Sequence, residues 1–234
     1  MINNKKILAI IPARGGSKGM KNKNIKDLAG KPLLGYTIEA ALKSKFIDNI
    51  IVSTDSPKIH DVALKYGAKV PFLRPAELAT DTTKTINVLI HTVAELKRRG
   101  DNYEILVLLQ ATSPLRNNLD IDYALELFVK KGYRSLASVH EVENYPILIR
   151  SLDENNEITP IFNERSDQRR QDVDKYFYVN GAIYINKISE LSNETSLNNN
   201  EIGYVMPKER SIDIDEEMDL AVAEVLLKIK NEKF

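Results

Sequence analysis

The segment Ile7-Leu8-Ala9-Ile10-Ile11-Pro12-Ala13-Arg14-Gly15-Gly16-Ser17-Lys18-Gly19 joins an apolar run to a loop rich in glycine and positive charge. The run from Ile7 to Ile11 is β-branched, short and closed by Pro12, which reads as a buried strand. It is too short for a signal-peptide core or a spanning helix. In the loop, three glycines let the backbone turn sharply and present N–H groups, while Arg14, Lys18 and Lys23 bring cationic side chains to the same place. That composition suits a polyphosphate cradle, and it equally suits a solvated basic turn after an edge strand. The loop is neither a Walker loop nor a dinucleotide fingerprint, because Gly-Lys-Ser/Thr at the required spacing and Gly-x-Gly-x-x-Gly are both absent.

Outward from this segment, apolar β-rich runs alternate with helical periodicity over the first 140 residues or so. Strands are expected at Ile7 to Ile11, Ile50 to Ser53, Lys69 to Phe72, Ile105 to Leu109 and Ser135 to Val139, with Pro71 weakening the third. Leu33 to Lys43, Pro57 to Tyr66, Lys84 to Arg99 and Leu119 to Lys130 carry apolar residues at helical spacing. The order βαβαβαβαβ predicts a mostly parallel sheet with helices on both faces, and therefore a ligand site at the carboxyl ends of the strands.

The pattern changes over residues 141–176, which are largely polar. Asp153-Glu154-Asn155-Asn156-Glu157 reads as a turn and Asn163 to Lys175 as a charged arm, so the segment forms a lobe over the site or reaches another subunit. Strands are expected again at Tyr178 to Ile185 and Ile202 to Met206. A final helix is expected from about Glu216 to Lys230, with Met218, Val222, Val225, Leu226 and Ile229 on a core-facing side. The 234 residues suit one principal α/β domain, 1–234, with an inserted arm.

Lysine plus arginine and aspartate plus glutamate number 33 each, so no overall field holds the chain on nucleic acid or an anionic membrane. An anionic ligand must be captured locally. The absence of cysteine excludes disulfides, thiolate metal sites and a cysteine nucleophile, and fits a cytoplasmic setting. His60, His91 and His140 stand isolated, without ligand spacing.

Five motifs, in order, carry a specific resemblance. They are Ile11-Pro12-Ala13-Arg14-Gly15-Gly16-Ser17-Lys18-Gly19 with Lys23-Asn24 and Gly30-Lys31-Pro32-Leu33; Arg74-Pro75-Ala76-Glu77-Leu78-Ala79-Thr80-Asp81; Gln110-Ala111-Thr112-Ser113-Pro114-Leu115-Arg116; Tyr178-Val179-Asn180-Gly181-Ala182-Ile183-Tyr184; and Ser211-Ile212-Asp213-Ile214-Asp215. Together they resemble the signature of the CMP-N-acylneuraminate (sialic acid) synthetase family, which includes CMP-legionaminic acid synthetases. The resemblance spans nearly the whole chain. It implies a three-layer, Rossmann-like nucleotidyltransferase fold, a homodimer, and transfer of CMP from CTP to the anomeric hydroxyl of an acidic nine-carbon sugar with release of pyrophosphate.

The same resemblance implies roles. Arg14 and Lys23 would meet the phosphates and act catalytically, within a nucleotide site of Ala13, Arg14, Gly15, Ser17, Lys18, Lys23, Asn24, Arg74, Asp81 and Thr82. Gln110, Thr112, Ser113, Arg170 and Asn180 would bind the sugar, with Arg170 the candidate for its carboxylate. Asp213 and Asp215 would hold Mg2+; residues i and i+2 of an extended segment point to one side, though Asp215 also suits a helix cap. Arg74 has an alternative as an ion-pair partner of Glu77 or Asp81. Asp55, after the second strand, is a second-rank candidate or a helix-start residue. The acceptor that the resemblance implies is of the N-acylneuraminic acid type; many sialic acid members carry arginine two residues before the motif asparagine, where this chain has Tyr178, so a sugar with a different C5 or C7 substituent, such as legionaminic acid, is the alternative. A KDO cytidylyltransferase and a noncatalytic nucleotide sensor are the rival readings.

Overall fold

The computed structural model describes residues 1–16, 19–142, 148–162 and 174–232. In chain order the elements are β1 (Ile7–Pro12), a hairpin of β2 (Asp27–Leu28) and β3 (Lys31–Pro32), α1 (Leu33–Leu42), β4 (Asn49–Ser53), α2 (Pro57–Lys65), α3 (Thr85–Arg98) and β5 (Ile105–Leu109). There follow α4 (Asn118–Lys130), β6 (Leu136–Glu141), β7 (Arg150–Leu152), β8 (Ile158–Pro160), β9 (Phe177–Lys187), β10 (Ile202–Val205) and α5 (Glu217–Glu232).

Six strands form one sheet in the order β10-β6-β9-β5-β1-β4. All neighbours are parallel except at β9, which runs antiparallel to both β5 and β6. β1 lies at the centre of a direction change, since the chain moves from it to β4 on one side and later to β5 on the other. A crevice opens at such a point, beyond the carboxyl ends of the strands.

Two-sided burial follows from the side-chain alternation of β1. Ile7, Ala9 and Ile11 enter a core with α1, α2 and α4 through Leu34, Ile38, Ile59, Ala63, Leu125 and Phe128. Leu8 and Ile10 point to the opposite face, where Ile86, Leu89 and Leu96 of α3 cover them. Each fully buried Ile or Leu contributes about 1.5–3 kcal/mol, so the continuous apolar run is what makes β1 a central strand. A third, smaller core of Met20, Leu28, Leu33, Leu115, Ile214, Leu220 and Ala223 ties the glycine-rich loop to the segment ahead of α5.

Two expectations change. Lys69 to Phe72 forms only an isolated bridge from Lys69 to Ile51, because Pro71 has no N–H with which to extend a ladder. In α5 the core side is Leu220 and Ala223 with Leu226 and Leu227, whereas Met218, Val222, Val225 and Ile229 are exposed. That helix carries apolar residues on two sides, and periodicity cannot choose between them. The turn expected at 153–157 is present, and it joins β7 and β8 into a separate two-stranded sheet. Residues 163–173 of the expected charged arm lie outside the described residues.

Candidate active site

The crevice beyond β1 and β5 is a cavity of about 610 Å³. Arg14, Gly19, Lys23 and Asn24 line it from the glycine-rich side; Arg74, Thr80, Asp81, Thr83 and Thr85 from the loop before α3; and Gln110, Thr112, Asp213 and Asp215 from the far wall. Four of the five sequence motifs meet there although they are separated by up to about 200 residues of chain.

The glycine-rich loop is held from behind. Ala13 N–H donates to Ser53 O at 2.9 Å, extending the β1–β4 pairing by one residue. The Gly15 N–H then donates to Asp55 Oδ1 at 2.9 Å, so it is used within the fold and not offered to the cavity. A Cβ at Gly15 would lie 2.9 Å from Ser56 Cβ, which explains the glycine as close approach of two loops. Asp55 therefore braces the loop, while Ser56 stands at the N-cap of α2. Ala13 is buried, and Ser17 and Lys18 lie outside the described residues. A short turn at Lys23–Ile25 presents the next two candidates: Asn24 Nδ2 donates to Arg14 O at 3.0 Å, fixing the backbone from which the Arg14 side chain projects.

Two of the cations that line the cavity, Arg14 and Lys23, are charge-balanced. Arg14 pairs with Asp81 at 2.7 Å, and Lys23 Nζ meets Asp215 Oδ1 at 2.9 Å. Arg74 behaves differently, being only 6% exposed. Its Nε donates to Ser53 Oγ at 3.2 Å, and its other nitrogens donate to the carbonyls of Ser53 and Leu78. Burial, with Arg14 nearby, lowers its pKa to about 10 against the opposing pull of Asp55, so it remains charged at neutral pH. Arg74 thus braces the end of β4 as well as lining the cavity. Thr82 does not line it; Thr80 and Thr83, whose hydroxyls are 2.7 Å apart, do.

On the opposite wall, Gln110 and Thr112 face the cavity. Gly181 has φ +75°, and a Cβ there would lie 2.5 Å from Gln110 Oε1, so glycine at this bulge leaves room for the glutamine. Ser113 and Asn180 are buried and outside the cavity lining. Asn180 is a knot in the fold: Oδ1 accepts from Ser138 Oγ at 2.5 Å and Ala182 N–H at 3.2 Å, while Nδ2 donates to Ser211 Oγ at 2.9 Å. Arg116, also fully buried, donates to Gln110 O and Ala182 O at 3.3 and 3.2 Å and pins the loop that carries Gln110. Arg170 lies outside the described residues.

Asp213 and Asp215 arrive on an extended segment stitched to that loop, with Ile214 N–H donating to Thr112 O at 2.9 Å and the Ile214 side chain in the third core. The helix-capping alternative for Asp215 falls to Asp219, whose Oδ2 accepts from both Asp215 N–H and Glu216 N–H at 2.9 Å. Desolvation raises the Asp213 pKa above the usual carboxylate range, against a hydrogen bond from Thr112; Asp215 adds to the rise and Lys23 opposes it. Asp213 is solvent-exposed at the cavity's edge. No group of three or more His, Cys, Asp or Glu side chains suited to a metal occurs among the described residues. Two carboxylates at the edge of a polar cavity fit Mg2+, an ion that takes its remaining ligands from phosphates and water.

A second cavity of about 430 Å³ shares Thr85, Leu108 and Gln110 with the first and continues to Tyr184, Thr195 and Asn198. Tyr184 OH donates to Asn198 Oδ1 at 2.8 Å, and its pKa is pushed up to about 12 by burial, with Asp213 and Tyr178 adding to the rise. Tyr184 closes the fourth motif, but only the pairing of β9 with β5 brings it beside Leu108.

In a mostly parallel α/β sheet the crevice at the change of strand direction is where ligands bind, and here it is polar and lined by cations. A family model described as "Cytidylyltransferase" matches residues 8–217. The chain belongs to the cytidylyltransferase family. It is 39% identical over 228 residues to the N-acylneuraminate cytidylyltransferase of Escherichia coli, a match covering 97% of this chain and 53% of that protein. Identity is 37% to the CMP-N,N'-diacetyllegionaminic acid synthase of Legionella pneumophila and 36% to the pseudaminic acid cytidylyltransferase of Campylobacter jejuni, each match covering 97% of this chain and 98% of the relative. The chain thus spans about half the length of the first relative and nearly all of the other two. Among solved structures, a CMP:2-keto-3-deoxy-manno-octonic acid synthetase complexed with CTP superposes with a TM-score of 0.71 at 17% identity, covering 96% of this chain and 99% of that one. This likeness carries the fold.

Proposed function

We propose that this chain transfers CMP from CTP to the anomeric hydroxyl of an acidic nine-carbon sugar. The observation that carries the reading is the convergence of Arg14, Lys23, Gln110, Thr112, Asp213 and Asp215 on one crevice, in a chain of the cytidylyltransferase family. The anomeric oxygen attacks the α-phosphorus, the bond from that phosphorus to the bridging oxygen of the β-phosphate breaks, and pyrophosphate leaves with that oxygen. The hydroxyl proton passes to water as the new bond forms.

The roles follow from charge. Arg14 and Lys23 exchange their carboxylate partners for phosphate oxygens; Lys23, held beside Asp215, meets the α-phosphate as negative charge develops there. Asp213 and Asp215 would hold Mg2+, which when bound neutralises phosphate charge and orients the leaving group. Asp215, freed as Lys23 turns to phosphate, would then face the cation beside Asp213. Gln110 and Thr112 orient the sugar against the nucleotide, and the adjoining cavity toward Tyr184 and Asn198 has room for its substituents. Exposed apolar side chains on the β7–β8 lobe, including Leu152, Ile158, Ile161 and Phe162, support a homodimer formed through this arm. Use of CTP and the cysteine-free composition support a cytoplasmic setting.

An N-acylneuraminic acid is the leading acceptor and legionaminic acid the alternative, which Tyr178 supports by offering a phenol in place of a cationic fork. The test is pyrophosphate release with Mg2+ and each of CTP, UTP, GTP and ATP against N-acetylneuraminic, legionaminic, pseudaminic and KDO acids. Turnover with CTP and at least one of the first two is expected. Turnover confined to KDO, or CTP binding without turnover on any acid, would overturn the reading.

A further inference from the structure

The exposed side of α5 is a seam with a definite register. Met218, Val222, Val225 and Ile229 are spaced four, three and four residues apart, the interval of a coiled-coil core, and all four are more than 40% exposed. The opposite side of the helix is already occupied by Leu220, Ala223 and Leu227 against Met20, Leu28 and Leu33. The helix is therefore apolar on two sides, of which the described residues cover one.

Charge along one flank selects what can lie on the seam. Glu217 and Lys228 are eleven residues apart, so they share a flank at opposite ends of the stripe, about 16 Å from one another. A second helix of the same sequence laid parallel about a two-fold axis would put this flank on opposite sides of the seam, so neither Glu217 nor Lys228 would meet its opposite charge there. Laid antiparallel about a two-fold axis midway between Val222 and Val225, it sets Met218 opposite Ile229, Val222 opposite Val225, and each Lys228 beside the other copy's Glu217. Glu217, which already contacts Lys26 Nζ, then lies between two cations. Such an isologous contact is self-complementary and closed.

We propose that α5 pairs antiparallel with α5 of a second copy of this chain. The interface is separate from the β7–β8 arm and does not depend on the substrate assignment. A four-residue seam lies at the small end of specific interfaces, below about 1,200 Å² in total, so the association is concentration dependent. Where the arm also pairs copies, the α5 contact joins those pairs to one another.

Sedimentation over a range of protein concentrations, with CTP turnover as the check on folding, tests this. Val225→Glu should weaken the self-association step at least tenfold. Glu217→Lys or Lys228→Glu alone should weaken it, and the double charge reversal should restore it. The chain has no cysteine, so cross-linking has no background. Met218→Cys mixed with Ile229→Cys should form a disulfide between copies, and Met218→Cys alone should not. A mass distribution unchanged by Val225→Glu, or efficient cross-linking of Met218→Cys with itself, would overturn the proposal. Dissociation by Val225→Glu without the mixed cross-link and without charge rescue would overturn it too, since that result assigns the face to another occupant such as a second copy's β7–β8 lobe.

Discussion

At the scale of single residues, Lys23 and Asp213 show how one site places opposite demands on its charges. Lys23 has a side chain only 17% exposed and an existing partner in Asp215, so its ammonium is positioned before any substrate arrives. Replacing it with alanine removes charge that matters most as the α-phosphorus becomes more negative. We expect Lys23→Ala to lower kcat by about 10²–10³ while CTP affinity falls far less; near-normal kcat with only weaker CTP binding would contradict the assignment. Asp213 is held at an elevated pKa chiefly by desolvation. A carboxylate whose folded pKa exceeds its unfolded value disfavours the folded state once pH rises above the unfolded pKa, because folding then opposes ionisation. Asp213→Asn should therefore leave the Tm of the ligand-free protein unchanged or raised at pH 7, while Mg2+-dependent turnover is lost. A lowered Tm with turnover retained would mark the residue as structural.

Among elements, the decisive join is between α4 and the strand-to-helix connection that delivers the two aspartates. Asp120, 1% exposed, closes a capping box with Asn117 at the start of α4. It also accepts from Arg210 Nε and its neighbouring nitrogen at 3.0 and 2.9 Å, and from Tyr204 OH at 3.3 Å. Arg210 stands three residues before Asp213. Asp120 is buried while Arg210 is 31% exposed, so Asp120→Ala, which removes a helix cap and charge-assisted hydrogen bonds, should cost about 2–4 kcal/mol, a fall in Tm on the order of 10 °C by thermal unfolding. A change under about 1 kcal/mol would show that solvent replaces the partner. None of this fork is visible in the sequence, where Asp120 reads as one acidic residue in a helix. The same holds for Asn180, a motif residue whose amide is consumed by Ser138 and Ser211.

The whole molecule closes its site from pieces distant in the chain: the loop after β1, the approach to α3, the loop after β5 and the connection before α5. A ligand bound across them stabilises the native state by mass action. CTP with Mg2+ at a hundredfold excess over Kd should add about 2.7 kcal/mol and raise Tm by roughly 5–10 °C. Tm unchanged at saturating CTP would argue against the crevice as the nucleotide site. With lysine plus arginine equal to aspartate plus glutamate, that capture rests on local charge and not on an overall field.

Chain order and hydrophobic periodicity alone specify the alternation of strands and helices, the burial of β1 on both faces and the position of the glycine-rich loop at a strand's carboxyl end. These are legible because the side-chain period of a strand, the period of a helix and the turn preference of glycine are local properties of the backbone. The motifs likewise name Arg14, Lys23, Gln110, Thr112, Asp213 and Asp215, which do meet in the crevice. Tertiary structure decided the antiparallel entry of β9, the use of the Gly15 amide by Asp55, the withdrawal of Ser113 and Asn180 into the fold, and which of two apolar sides of α5 faces the core. Each of those depends on what another part of the chain places opposite, and a residue's partner across space has no signature in its own neighbourhood of sequence.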